Sequence, residues 1–446
     1  MKPEVPRLLA LLGASQVRAH WQFPHAPGST AAQRPLGGLP DNDVDILYGS
    51  QFSGLTTYAR IPYVNCLADE GGDGGEGANG KYDIAILGAP FDTGVTARPG
   101  ARFGPRGIRA GSQGKYADGA WSVYTGSVGR SVVGKNALKS WATVVDCGDV
   151  PLTYLDNNYA LAQLTKGHKV VSGRKSANKT YAATPRIIML GGDHTTTLPA
   201  LRSVHKHWGQ VSVIHFDSHI GAPAQPSLAI RLSLFYDLRR VTGAVAYQTM
   251  RKSTGRGHPS IHLSVYRHEN CEAHMLIMTI IPSGLNHGTF LHIAHEEGLI
   301  RNTSIHAGIR GPLVRPRGDI RNDERCGFAR LTARDLDLFG VAGVVSQIRN
   351  RVSAGPVYIS VDIDVLDPAF APATGTPEPG GWSTRELLAI LDGLSGLEVV
   401  GADVVEVAPA YDTRGETTAL AAAEVVWSLL ELMVETPVKS KSGLLA

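Results

Sequence analysis

With 446 residues, 43% of them apolar and 19% charged, the chain has ample material for a buried core, and it is long enough for one extended α/β domain or for two or three average ones. A formal net charge of +3, with basic residues scattered rather than striped, argues against a nucleic-acid partner. Beyond the amino terminus no stretch reads as the roughly 20 apolar residues of a membrane span, so no membrane partner is expected.

The chain opens with Lys2 and Arg7, an apolar run from Leu8 to Ala14, and Val17-Arg18-Ala19, the pattern of a signal peptide over residues 1–19 cleaved before His20. A secreted or extracellular location follows, with a cytoplasmic or mitochondrial one as the alternative. Residues 20–80 are rich in Gly, Pro and Asp and read as a flexible extension, with order beginning near Tyr82. A domain is expected over 81–435, followed by a tail at 436–446.

Within that domain short apolar runs recur at Ile84–Leu87, Val144–Val145, Ile187–Leu190, Val211–Phe216, Ser304–Ile309, Val357–Val361 and Val399–Val405. Helical patterns separate several of them, for example Thr384–Leu394 and Thr417–Met433. Continuous apolar strands alternating with amphipathic helices predict a mostly parallel central sheet covered on both faces, a three-layer α/β/α domain. Four cysteines, Cys66, Cys147, Cys271 and Cys326, form no C-x-x-C pair; Cys147 reads as a core residue, and a disulfide from Cys66 to one of the others is open.

The chemistry gathers at strand ends, where open α/β sheets place their sites. The run Ser360-Val361-Asp362-Ile363-Asp364 ends an apolar strand with two carboxylates at alternate positions, which a pleat aims at one spot. Two like charges that close need something positive between them. The same device occurs upstream, where Val213–Phe216 leads into Asp217 and His219, and where Ile187–Leu190 runs through two glycines to Asp193 and His194. Mixed imidazole and carboxylate donors suit manganese, zinc or iron, and a shared carboxylate can hold two ions close together.

In this order, GGDH (191–194), HFDSH (215–219), SVDIDVLDPAFAPATGTPEPGG (360–381) and VVEVAP (404–409) resemble the ureohydrolase family of arginases and agmatinases. The segment GAPFDTGVTARPGARFGPRGIR, Gly88 to Arg109, resembles its agmatinase branch, fungal type. The resemblance implies a binuclear Mn2+ centre ligated by His194, Asp217, His219, Asp362 and Asp364, and an amidinohydrolase that cleaves a guanidino group to urea and an amine. Agmatine to putrescine, a step of polyamine biosynthesis, is the favoured reaction, with arginase-type activity as the near alternative. His287, in Asn286-His287-Gly288-Thr289-Phe290, matches the residue that shuttles a proton to the leaving amine. Glu406 matches the one that pairs with the substrate guanidinium. The small guanidino substrate is the partner, and a homo-oligomer is implied.

The chain departs from the family motif D-x-H-x-D at its last position, where Asp217-Ser218-His219-Ile220 is followed by Gly221. Glycine offers no side-chain ligand. From Gly221 to about Pro282 the sequence resembles nothing in the family, with seven Lys or Arg against three Asp or Glu (Asp237, Glu269 and Glu272), none of them two residues from His219. A divergent insertion and a mistranslated segment both account for it. The expectation is therefore a centre short of one ligand and weakly active, and the alternative is a metal-deficient, non-catalytic homologue.

Overall fold

In the computed structural model, residues 54–68, 81–115, 136–181, 184–221, 246–247, 264–265, 285–313, 315–352 and 355–439 are described. The signal-peptide expectation lies outside them, as do most of the 20–80 and 221–282 segments and of the tail. Eight parallel strands form the sheet: β1 (Ile84–Gly88), β2 (Val144–Asp149), β3 (Arg186–Leu190), β4 (Ser212–Phe216), β5 (Ser304–Ile309), β6 (Phe328–Thr332), β7 (Pro356–Asp362) and β8 (Glu398–Val405). Their spatial order is β2-β1-β3-β8-β7-β4-β5-β6.

Every residue of β1, β3, β4 and β5 is buried, because helices cover both faces and each side chain meets a layer. One face packs on α1 (Gly104–Gly111), α6 (Asp335–Val352), α7 (Thr384–Gly393) and α8 (Thr417–Glu435). The other packs on α2 (Asn157–Ser172), α3 (Thr197–Trp208) and α4 (Phe290–Glu296). A further helix, α5 (Pro316–Arg325), leads into β6. The edge strand β6 was not read from the sequence, since FARLT is half exposed and carries Arg330 where an inner strand carries apolar side chains.

Two expectations need correction. Helix α8 is long and apolar enough by length and composition to cross a membrane, yet most of it is buried against the sheet and its neighbouring helices. The folded body also begins before Tyr82. Tyr58 is fully buried, its hydroxyl donating to the Ala423 carbonyl at 2.8 Å and its amide to Asp146 Oδ2 at 2.8 Å. Cys66 is joined to Cys147 of β2 by a disulfide. The Gly- and Asp-rich run after Cys66 masks this apolar anchor in the sequence.

Candidate metal centre and active site

Four adjacent strands, β3-β8-β7-β4, deliver all seven expected residues except His287 to their carboxyl ends. Three of the turns there are built alike. Asp193 Oδ1 accepts from the Thr195 amide at 2.9 Å, Asp217 Oδ1 from the His219 amide at 2.6 Å, and Asp362 Oδ1 from the Asp364 amide at 2.9 Å. Each aspartate caps the turn that its strand enters, by the habit of Asp to bond the backbone two residues on. This corrects the pleat argument for Asp362 and Asp364: β7 stops at Asp362 and Asp364 sits in a short 3-10 turn, so the cap, not strand alternation, sets where the second carboxylate points.

The result is two donor groups joined by Asp217. In the inner group, His194 Nδ1 lies 3.1 Å from Asp362 Oδ2 and 3.3 Å from Asp217 Oδ2. His215 Nε2 lies 3.1 Å from the same Asp217 oxygen. In the outer group, His219 Nδ1 lies 3.0 Å from Asp364 Oδ2 and 3.4 Å from Asp217 Oδ1. Donor atoms of His194, His215 and Asp217, and of Asp217, His219 and Asp364, are close enough in each set to share one ion. His215 was not singled out in the sequence. Its signal was its place two residues before Asp217, hence on the same face of β4.

Electrostatics sharpen the picture. Burial pushes the Asp362 carboxyl well above its ordinary range, and the charges of Asp364 and Asp217 push the same way. Burial and Asp217 raise Asp364 likewise. Burial opposes ionisation of Asp217 too, but the raised imidazoles of His194 and His219 help to hold it well below its ordinary value. Against the downward pull of burial, carboxylates hold His194 well above its ordinary value and His219 up at about 12. His215 goes the other way, pushed down to about 3 by burial. Three buried carboxylates facing imidazole nitrogens at 3.0–3.4 Å form a pocket that demands positive charge. This donor set fits divalent ions of the manganese and zinc type.

Glu406 follows β8 in the left-handed region at φ 62°, a strained conformation for a residue with a side chain. Its Oε1 accepts from the His194 amide at 2.9 Å and meets His287 Nδ1 at 3.0 Å, while its Oε2 is buried without a hydrogen-bond partner among the described residues. The Thr96 amide donates to His287 Nε2 at 3.1 Å, so in the neutral ring that nitrogen is the acceptor and Nδ1, facing Glu406, carries the proton. Sequence reading gave His287 and Glu406 separate tasks; the structure couples them directly. Burial pulls His287 down, but Glu406 and Asp193 outweigh it and raise it above its ordinary value. Burial, helped by Glu406, pushes the neighbouring Asp193 up to about 7.

The loop from Phe91 to Gly100 brings Thr96 to the site, anchored where Asp92 accepts from the Gly100 amide at 2.7 Å and from Arg102 at 2.5 Å. Arg109 is remote from this chemistry: it clamps Asp146 and Asp149 of β2. Arg310, also unremarked in the sequence, donates to the carbonyls of Asp364, Val365 and Glu378, tying the TGTPEPGG loop to the end of β7.

Comparisons with known proteins point to one family. The family model described as Arginase family matches residues 82–226 and 270–431, so the break is narrower than the 221–282 segment and Gly221 falls inside the match. A Schizosaccharomyces pombe protein named "Putative agmatinase 1" is 41% identical over 441 residues, covering 97% of this chain and 95% of its own. The proclavaminate amidinohydrolase of Streptomyces clavuligerus is 34% identical over 341 residues, covering 76% of this chain and 85% of its own. The solved structure of the Streptomyces clavuligerus proclavaminate amidino hydrolase aligns with a TM-score of 0.62 at 30% identity, covering 87% of this chain and all of that one.

Proposed function

Because this chain belongs to the arginase family and is a hydrolase of guanidino compounds, we propose that it is a manganese-dependent amidinohydrolase acting on agmatine, releasing urea and putrescine. The observation that carries the proposal is the pair of donor groups sharing Asp217, with the unfilled Glu406 Oε2 nearby. In the ligand roles, His194, Asp217 and Asp362 would hold one ion, and His219, Asp217 and Asp364 the other. Two bound ions supply Lewis acidity that brings the pKa of water in the site toward neutrality.

The protein's own groups then do the following. Glu406 Oε2 accepts an N–H of the planar guanidinium, a charge-assisted bond. Because Oε1 is already taken by His194 and His287, the contact is through one oxygen rather than a two-oxygen fork. His287, raised by Glu406, carries a proton for the leaving amine. Agmatine is favoured over arginine by the agmatinase-like wording of Gly88–Arg109 and by the agmatinase-named relatives. Urea release from agmatine and from arginine, assayed side by side with manganese, tests this: turnover of arginine alone would replace agmatinase with arginase, and turnover of neither would favour the non-catalytic homologue.

For location, the Cys66–Cys147 disulfide supports an oxidising, secretory compartment, where such bonds persist. Mature protein beginning at His20 in the medium would bear out the signal peptide; protein retained in cells with Met1 intact would favour the cytoplasmic or mitochondrial alternative.

A further inference from the structure

Gly221 supplies no side-chain ligand and the 221–282 segment holds no acid two residues from His219, but an imidazole faces the inner group. His215 is buried at the end of β4, two residues before Asp217. On its outer side, His215 Nδ1 meets His306 Nδ1 of the paired strand at 2.7 Å, the two residues lying opposite each other in the β4–β5 register. His306 Nε2 in turn lies 2.8 Å from Asp323 Oδ1, and Arg330 donates to the other oxygen of Asp323 at 2.8 Å.

With both rings neutral, this chain of contacts orders the protons. The Asp323 carboxylate accepts, so His306 Nε2 is the donor and, in a neutral ring, His306 Nδ1 is the acceptor. His215 therefore gives its proton to His306 from Nδ1 and leaves Nε2 bare. That bare nitrogen lies 3.1 Å from Asp217 Oδ2, is buried, and has no hydrogen-bond partner among the described residues. A lone pair held that close to a carboxylate oxygen in a dry site is repulsive unless a cation lies between them.

We propose that His215 Nε2 is a metal ligand, completing with His194, Asp217 and Asp362 the inner ion's coordination in place of the side chain that Gly221 lacks. His306 and Asp323 are positioning residues that keep the correct nitrogen of His215 free. The proposal rests on the metal-centre reading above. Steric crowding supports the substitution: a Cβ on Gly221 would lie 2.9 Å from the Gly288 carbonyl oxygen, so an aspartate does not enter this position unless Gly288 shifts.

X-ray absorption at the manganese edge, on the full chain saturated with Mn2+, counts the imidazoles. With His194, His215 and His219 all ligating, two bound ions share three imidazoles. Two ions sharing only two, or a single ion carrying one, would overturn the role of His215 and leave the metal centre standing; a chain that takes up no manganese overturns both. Metal content of His215→Ala is the second measurement. It should fall from two ions to one while His219-side binding persists, and retention of both ions at unchanged affinity would overturn the assignment. If that variant does not fold, the count on the unaltered chain still decides.

Discussion

The inner and outer donor groups share Asp217 but are supported in different ways. Behind the inner group stands a second layer of committed polar atoms. His194 Nε2 meets Ser360 Oγ at 2.8 Å, and Asp403 accepts from Ser360 at 2.6 Å, from Tyr358 at 2.6 Å and from Thr197 at 2.8 Å. All of these side chains are buried. The outer group has looser support: the His219 side chain is 32% exposed, its Nε2 is 3.5 Å from Glu378, and Thr376 reaches Asp364 Oδ2 at 3.3 Å. Fixed outer-shell partners orient a ligand and raise its basicity. The inner group should therefore bind its ion more tightly, and the outer ion should be the one that exchanges.

The harshest test removes what the two groups have in common. Asp217→Ala should release both ions and lower turnover by at least about a thousandfold, since several kcal/mol of Lewis-acid stabilisation is lost. Metal analysis together with urea release measures it, and one ion retained at full affinity would mean that the groups do not depend on a shared carboxylate. Next come the unshared carboxylates. Asp362→Ala should strip the inner ion and Asp364→Ala the outer, each with a steeper loss than His287→Ala, which should cost about a hundredfold to ten-thousandfold as the removal of a proton-transfer group. Equal small losses in all three would break the assignment of both groups.

Glu406→Gln separates metal from substrate. Both ions should stay, while kcat/KM falls about tenfold to a hundredfold, the worth of roughly 1.5–3 kcal/mol for a charge-assisted hydrogen bond. The pH profile adds a signed readout. Glu406 is the main group holding His287 above its ordinary value, so its neutral amide lets His287 fall. The protonated imidazole is then lost at a lower pH, and the alkaline limb of activity should move downward. A variant that loses metal instead would make Glu406 structural.

How much of this was legible in the sequence follows from what a pattern can hold. Strand runs such as Ile187–Leu190 and Val357–Val361 were plain because a doubly covered strand is apolar throughout, and the ligand candidates stood out as charges that such strands do not otherwise carry. What escaped were long-range relations. His215, His306 and Asp323 are ordinary polar residues until the parallel register puts the first two opposite each other. Ser360 and Asp403 are likewise paired only by the β7–β8 register. Tyr58 was hidden by the composition of its surroundings, the partner of Cys66 was left open, and the hydrogen bonds of Arg310 among the described residues go to backbone carbonyls, which leave no motif.

The smallest expected effects test the support itself. Ser360→Ala removes the hydroxyl that links His194 Nε2 to Asp403, so His194 is free to turn or change tautomer, and inner-ion affinity should fall about tenfold to a hundredfold with the outer ion unaffected. Thr376→Val removes a single long contact, at 3.3 Å, from a group already in touch with solvent through His219. Water can replace that hydroxyl, so outer-ion affinity should change by less than about threefold, below the roughly 1 kcal/mol of an ordinary net hydrogen bond. Manganese titrations of the two variants, resolved into a tight and a weak step, compare them directly. If Thr376→Val weakens the outer step as much as Ser360→Ala weakens the inner one, burial of the second layer is not what distinguishes the two groups, and the difference in their affinities must come from the ligands alone.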